Sequence, residues 1–215
     1  MKATIFDLDG VLLNSMPTGM SRFTQAAQSF GLPINDTEIA RAARYLGTSV
    51  SLMLRDCWPE HQVNVDEFYE RWEKIDAELY TPLFDEVPKL LTTLTSAGQV
   101  LGAYTNRGWS ARVHLERTRI MGFFANITAV SGTPHPKEDP RSIAPLLADL
   151  KDLGVSPEDI VFVGDTVSPD LACARNVGLR FIAAGYGVHS AQQFLAAGVP
   201  KEDIIATPME LLEKL

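Results

Sequence analysis

Three shortages in the sequence each exclude a class of protein. The chain has only two cysteines, Cys57 and Cys173, which are too few and too isolated for a zinc motif or a disulfide framework. Its formal net charge of -8 at pH 7 disfavours a nucleic-acid partner, because phosphate contacts require clustered Lys and Arg. No apolar stretch reaches membrane-spanning length, and the first strand pattern begins too early to leave room for a signal peptide. We therefore expect a cytoplasmic protein that binds neither nucleic acid nor membrane.

The most informative segment is residues 7–14, which directly follow a short apolar run. Successive side chains of an extended chain alternate, so Asp7 and Asp9 are predicted to point the same way. Two carboxylates in one crevice repel each other unless a cation offsets their charge or one of them is protonated. Hard divalent ions such as Mg²⁺ favour such oxygens and commonly carry phosphate with them. The alternative is an acidic turn in which Gly10 simply turns the chain.

Three later segments also place polar residues directly after an apolar run or a Pro-rich turn. Ligands of an open parallel sheet bind outside the carboxyl ends of its strands, so these residues are predicted to converge on one crevice. Carboxylates, a hydroxyl and an ammonium together suit a metal ion and a phosphoryl group. Taken singly, each also has a structural reading, as a helix cap, a solvated loop charge or a turn residue. The residues are Thr105 and Asn106, then Lys137, then Asp165 with Asp170.

With these motifs in this order, the chain resembles the haloacid dehalogenase-like superfamily of hydrolases, and within it the phosphoglycolate phosphatase-like branch with a helical cap. The resemblance spans essentially all 215 residues. Its motifs are residues 7–12, Thr105, Lys137 with Pro140, and residues 164–170. They are specific for the superfamily and much less so for a substrate. The resemblance implies an enzyme that hydrolyses a small phosphorylated metabolite, such as phosphoglycolate or a sugar phosphate.

The resemblance also implies a role for each residue. Asp7 would be the nucleophile that forms an aspartyl-phosphate, since a carboxylate is already ionised at neutral pH. Asp9 would protonate the departing alkoxide and then act as general base on the water that hydrolyses the intermediate. Thr105, Asn106 and Lys137 would bind the phosphoryl oxygens. The Mg²⁺ ligands would be Asp7, Asp9 through its backbone carbonyl, and Asp165, with Asp170 either a further ligand or a residue that orients Lys137.

The order of predicted elements divides the chain into two domains. Between residues 15 and 84 the alternation of strands and helices is interrupted by apolar residues at helical spacing, as at Phe23, Ala27 and Phe30. This segment predicts a small helical cap inserted after the first strand. Residues 1–14 and 85–215 predict the α/β core, a doubly wound and mainly parallel sheet of Rossmann-like topology.

We assign substrate selection to the cap, because the core motifs address only phosphate and metal. Arg44 and Thr48 lie in a segment that joins two predicted cap helices and offers a guanidinium and a hydroxyl. Arg44 could equally be an exposed helix charge. Arg107 follows the second motif directly, where it could touch the leaving group. The sequence leaves the oligomeric state open between a monomer and a homodimer.

Other functions of related chemistry compete with phosphatase activity. The second acid, Asp9, argues against a haloacid dehalogenase, and the lack of lysine between Lys2 and Lys74 argues against a phosphonate hydrolase with a cap lysine. A sugar phosphomutase of the same superfamily remains the main alternative, because it shares the aspartyl-phosphate step. A signalling receiver domain also combines acids, Thr and Lys around Mg²⁺. Receiver domains are shorter, however, and contain no helical insert after the first strand.

Overall fold

The computed structural model describes residues 1–45, 50–131 and 134–215. In these residues one sheet of six parallel strands has the order β3-β2-β1-β4-β5-β6, so the first strand of the chain lies at its centre. The described residues include no helix with both the length and the apolar character needed to cross a membrane. The strands are β1 Ala3–Phe6, β2 Val100–Thr105, β3 Asn126–Ala129, β4 Ile160–Gly164, β5 Arg180–Ala184 and β6 Ile204–Ile205.

Helices follow the strands in two groups. The first group lies between β1 and β2 and begins with four helices, and the described residues among them form no strand. The second group alternates with the strands, as expected for parallel pairing, which requires a crossover connection. The helices are α1 Met16–Ser29, α2 Asp36–Ala43, α3 Val50–Cys57, α4 Val65–Glu78, α5 Val87–Ser96, α6 Ser110–Arg117, α7 Pro140–Asp152, α8 Ala172–Val177 and α9 Ala191–Ala196.

The sheet is covered on both faces, which confirms the predicted doubly wound α/β fold. Neighbouring residues of β1 point to opposite faces, so Phe6 joins one apolar cluster and Ile5 joins the other. Leu91 of α5 packs in the cluster with Phe6, and Leu146 of α7 packs in the cluster with Ile5. Full burial of such side chains stabilises the fold by about 1.5–3 kcal/mol each.

Helices α1–α4, which we call the helical insert, have an apolar cluster of their own. Phe23 stacks on Trp58 with ring centroids 5.4 Å apart, and Phe68 lies 6.1 Å from Trp72. The side chain of Asn35 caps α2 and accepts from the backbone N–H of Thr37, while the carboxylate of Glu38 accepts from the backbone N–H of Asn35. This separate cluster supports the predicted cap at residues 15–84, and the division of the chain into two domains stays a prediction.

The two segments that join the helical insert to the sheet run side by side. The backbone N–H of Asn14 donates to Pro82 O at 2.9 Å, and that of Phe84 donates to Leu12 O at 3.0 Å. Both segments therefore meet next to the loop that follows β1. Strands β2 and β3 lie on one side of β1 and β4 lies on the other, so the order in which strands are added reverses at β1. Such a reversal opens a crevice at the carboxyl ends of the strands.

Candidate active site

Asp7 and Asp9 lie just beyond the carboxyl end of β1, but their carboxylates have different partners. The backbone N–H of Asp7 donates to Val163 O at 2.9 Å, so the sheet holds its backbone. Leu8 is fully buried between the two acids, as strand alternation predicts. Asp7 faces Lys137, whereas Asp9 pairs with Arg107.

Three carboxylates converge beside β1. Asp7, Asp165 and Asp170 each offer an oxygen atom, and these atoms all lie within 4.8 Å of one another. Asp165 directly follows β4, which is adjacent to β1 in the sheet, and Asp170 lies in the short helical turn Val167–Leu171 after it. We call these three residues together with Lys137 the carboxylate cluster.

Two glycines allow the backbone to close around Asp165. Gly10 has a φ of +69°, and a Cβ on it would lie 1.8 Å from Asp165 Oδ2. A Cβ on Gly187 would lie 2.6 Å from the same oxygen. The backbone N–H of Val188 donates to Asp165 Oδ2 at 2.7 Å. Gly10 therefore does more than turn the chain, because only glycine tolerates both its φ and this close approach.

Lys137 supplies the cation of the cluster. Its Nζ lies 2.9 Å from Asp7 Oδ1 and 2.7 Å from Asp170 Oδ1, and the residue is only 1% exposed. Burial lowers the pKa of Lys137, but the two carboxylates outweigh burial and raise it above its usual range. The ammonium also lies 5.3 Å from the ring centre of Tyr104, whose hydroxyl donates to Lys137 O at 2.9 Å. Tyr104 therefore holds both ends of the lysine.

Asp170 is bound on both of its oxygens. Oδ1 faces Lys137, and Oδ2 accepts from the backbone N–H groups of Asp165 and Thr166 at 3.0 Å and from the Thr166 hydroxyl at 2.8 Å. These contacts favour the second of the two roles expected for Asp170, the orientation of Lys137. A metal contact through Asp170 is also within reach, since this residue belongs to the group of three carboxylates.

The carboxylate cluster carries more negative than positive charge, and its pKa values reflect this. Burial raises the pKa of Asp7 to about 7, with Lys137 opposing the shift and Asp170 adding to it. Burial, followed by the charges of Asp170 and Asp7, raises the pKa of Asp165 well above its usual range. A divalent cation would offset this excess, and carboxylate oxygens are the ligands that Mg²⁺ prefers. The donor set therefore fits a hard divalent cation.

Thr105 and Asn106 lie at the carboxyl end of β2, next to β1 in the sheet. Thr105 is fully buried, and its hydroxyl accepts from the backbone N–H of Arg107 at 3.1 Å. Asn106 is half-buried. Both residues therefore lie at the edge of the sheet where a phosphoryl group beside Asp7 could be bound. Their contact with phosphate stays a prediction.

Arg107 points to Asp9. Its Nε and Nη2 donate to the two oxygens of Asp9, each at 2.7 Å. Burial alone would raise the pKa of Asp9, but the guanidinium of Arg107 outweighs burial and holds that pKa below its usual range. Bidentate pairs between arginine and carboxylate are among the stronger ionic contacts in proteins. The pair with Arg107 therefore favours the ionised form of Asp9.

The helical insert contributes two charged residues to the crevice that the sequence analysis missed, Asp76 and Arg22. Asp76 of α4 accepts from Arg107 Nη1 and from Arg22 Nη1, the latter at 2.6 Å. We call Asp9, Arg107, Asp76 and Arg22 the bridge cluster. An acid on a helix is normally read as solvent-facing. The one available signal was that Asp76 lies four residues after the apolar Trp72, on the buried face of α4.

The residues predicted for substrate selection lie elsewhere or outside the description. Arg44 Nη2 pairs with Asp56 Oδ2 at 2.8 Å within the helical insert, and the Arg44 side chain is 63% exposed. Arg107 is in the crevice but is engaged by Asp9 and Asp76. Thr48 lies outside the described residues. The substrate contacts of all three therefore stay predictions.

Comparison with known proteins finds similar sequences and similar folds. The family model for haloacid dehalogenase-like hydrolases matches residues 4–184. N-acetylmuramic acid 6-phosphate phosphatase of Pseudomonas aeruginosa is 29% identical over 230 residues, covering 100% of this chain and 95% of the relative. Phosphoglycolate phosphatase of Chromobacterium violaceum is 30% identical over 197 residues, covering 87% and 86%. Among solved structures, a haloacid dehalogenase-like family hydrolase from Streptococcus pneumoniae has a TM-score of 0.79 at 23% identity, covering 100% and 98%.

Proposed function

The chain belongs to the haloacid dehalogenase-like hydrolase family, and from that membership we propose that it is a Mg²⁺-dependent phosphatase of a small phosphorylated metabolite. The substrate would be phosphoglycolate-like or a sugar phosphate. The observation that carries the proposal is the carboxylate cluster, in which a nucleophile candidate, a buried ammonium and a cation site occupy one crevice. The activities named for the two relatives, on phosphoglycolate and on N-acetylmuramic acid 6-phosphate, support the same reaction class.

The proposed reaction has two half-reactions. In the first, a carboxylate oxygen of Asp7 forms a bond to phosphorus and the bond from phosphorus to the leaving oxygen breaks. Asp9, which must carry a proton at the start of the cycle, gives that proton to the leaving oxygen and becomes ionised. In the second, Asp9 takes a proton from a water molecule that attacks phosphorus. The new P–O bond forms, the bond to Asp7 breaks, and inorganic phosphate leaves.

The chain's own residues would bind and orient the phosphoryl group. Lys137 would neutralise charge on its oxygens, as a compact cation held rigidly by Asp170 and Tyr104. The Thr105 hydroxyl and the Asn106 N–H would donate to the same oxygens. Their place beside β1 supports this, because both follow β2 directly.

Mg²⁺ would be held by Asp7, Asp165 and the backbone carbonyl of Asp9. When bound, it would supply the positive charge that reduces repulsion between the Asp7 carboxylate and an anionic phosphate. The raised pKa values of Asp7 and Asp165, caused first by burial and then by neighbouring carboxylates, support this assignment, because a bound cation would favour the ionised form of both. Asp170 would orient Lys137.

The direct test measures release of p-nitrophenol from p-nitrophenyl phosphate with Mg²⁺ and with a chelator. We expect turnover with Mg²⁺, its loss in the chelator and its return when Mg²⁺ is restored. Full turnover in the chelator would contradict the metal dependence. A panel of phosphorylated metabolites assayed for phosphate release would then identify the substrate class.

The same panel distinguishes the alternatives. A phosphatase releases inorganic phosphate from each substrate, whereas a sugar phosphomutase returns the phosphoryl group to a sugar and releases little. A receiver-like domain would keep its acyl phosphate and show no sustained turnover. Phosphate release that matches substrate consumption therefore supports the proposal against both.

A further inference from the structure

The guanidinium of Arg107 joins the sheet to the helical insert. Nε and Nη2 donate to the two oxygens of Asp9, each at 2.7 Å, while Nη1 donates to Asp76 Oδ2. Asp9 belongs to the loop after β1, and Asp76 belongs to α4. Arg107 is 4% exposed, so bulk water screens neither ion pair. One side chain therefore connects the second acid of the crevice to the helical insert.

Asp76 is itself anchored by two further elements. Arg22 of α1 donates to Asp76 Oδ1 at 2.6 Å, and His114 Nε2 of α6 lies 3.1 Å from Asp76 Oδ2. The guanidinium of Arg22 packs over the ring of Trp72, 4.4 Å from its centre. Asp76 is only 1% exposed. Its carboxylate therefore has a single orientation as long as α1, α4 and α6 keep their places.

Helix α4 also forms hydrogen bonds with the backbone just after Arg107. Glu73, one turn before Asp76, accepts from the backbone N–H of Gly108 at 3.3 Å and of Ser110 at 3.0 Å. A Cβ on Gly108 would lie 2.7 Å from Glu73 Oε2, so glycine permits this approach. The backbone after Arg107 and its guanidinium are thus both held by the same helix.

We propose that Arg107 is a positioning residue through which the placement of the helical insert sets the orientation of Asp9. This inference rests on the proposed phosphatase function, because a fixed orientation of Asp9 matters only if Asp9 moves protons. The guanidinium is a rigid planar fork, so a turn about its Nη1 contact moves Nε and Nη2 together. When α4 lies as observed, Asp9 is fixed. When Asp76 withdraws, Arg107 loses that anchor and Asp9 loses its orientation.

The decisive substrate is p-nitrophenyl phosphate, because nitrophenolate leaves without a proton. The first half-reaction then needs no proton from Asp9, while the second still needs Asp9 as base. In Asp76→Asn we expect a burst of about one nitrophenolate per enzyme, followed by steady-state turnover roughly 10²-fold below that of the unmodified protein. Intact-protein mass spectrometry should show accumulated phosphoenzyme in Asp76→Asn and little in the unmodified protein.

Arg107→Lys is the second variant, for the case in which Asp76→Asn folds poorly. Lysine keeps the charge but lacks the planar fork that binds both oxygens of Asp9 while a third nitrogen contacts Asp76, so we expect the same burst and the same accumulated phosphoenzyme. Glu70→Gln is the matched control, since it is the same carboxylate-to-amide change on the exposed side of α4, where Glu70 pairs with Lys74. It should behave as the unmodified protein.

Three outcomes would overturn the inference. If Asp76→Asn and Arg107→Lys lower the midpoint of thermal unfolding yet turn over without accumulating phosphoenzyme, the bridge cluster has a structural role only. If Arg107→Lys raises KM for the preferred metabolite without a burst on the aryl phosphate, Arg107 is a leaving-group contact instead. If the unmodified protein does not hydrolyse the aryl phosphate with Mg²⁺, the proposed function fails and the inference fails with it.

Discussion

The carboxylate cluster and the bridge cluster are both buried and charged, yet they differ in charge balance. The carboxylate cluster has three carboxylates to one ammonium, and the pKa values of Asp7 and Asp165 are raised. The bridge cluster has two carboxylates between two guanidiniums. There the guanidiniums outweigh the effect of burial, and the pKa values of Asp9 and Asp76 are lowered.

The difference shows how one fold can hold a cation-binding site and, beside it, a charged cluster that only holds side chains in place. Buried charges are tolerated when they are paired, and an unpaired excess requires a counterion or a proton. The excess in the carboxylate cluster makes that cluster a site for a cation and its phosphate. The bridge cluster is satisfied internally, so it can fix geometry between α4 and the loop after β1. The following predictions test this contrast, from the largest expected effect to the smallest.

Asp7→Asn should abolish turnover, because it removes the proposed nucleophile. The fold should survive, since the change also removes one carboxylate from a cluster with excess negative charge. The measurement is phosphate release together with intact-protein mass spectrometry after incubation with an aryl phosphate. No phosphoenzyme should form. Phosphate found on another residue would show that the nucleophile is misassigned.

Asp9→Asn should lower turnover by ~10²–10⁴-fold, the usual effect of a general acid or base. Asp7 remains, so the phosphoenzyme should still form from an activated aryl phosphate and then persist. Quenched-flow sampling would follow its decay. A phosphoenzyme that decays at the rate of the unmodified protein would exclude Asp9 as the base.

Asp76→Asn should destabilise the protein by about 3–5 kcal/mol near neutral pH, because it leaves buried guanidiniums short of a counter-charge. Burial raises the pKa of Asp76, but Arg22, His114 and Arg107 outweigh burial and lower it. A lowered folded-state pKa stabilises the protein above the unfolded pKa of about 3.9, and that stability is lost as the pH falls below it. Urea unfolding from about pH 7 down to about pH 3 should therefore show the difference shrinking. A constant difference would contradict the ionic explanation.

Asp165→Asn should stabilise the protein, in contrast to Asp76→Asn, because it relieves repulsion within the carboxylate cluster. In a chelator we expect its thermal midpoint to rise by about 2–4 °C, equivalent to about 1 kcal/mol for a chain of this size. Added Mg²⁺ should raise the midpoint of the unmodified protein and change that of the variant much less. A lower midpoint in the chelator would mean that Asp165 supports the fold.

Much of the fold and part of the site could be predicted from local patterns. The apolar run before Asp7 and the helical spacing around Phe23 are short-range signals, and the structure has a strand and a helix at these places. The strand-end positions of Asp7, Thr105 and Asp165 followed from parallel topology alone. The observed partners of Arg44 and Arg107 could not be predicted in this way, because the partner of a long cationic side chain depends on packing between elements.

By itself, the sequence determined which residues follow which strands, and a parallel sheet then brings Asp7, Lys137, Asp165 and Asp170 to one edge. Only the tertiary structure decided how the charges there are shared. Arg107 pairs with Asp9 across 98 residues and with Asp76 across 31, and no short-range pattern encodes either contact. The contact with Asp9 depends on the pairing of β1 with β2, and the contact with Asp76 depends on where α4 packs. The physical reason is that burial and counter-charges act through space, so the partner, pKa and role of an acid are set by what the fold packs against it.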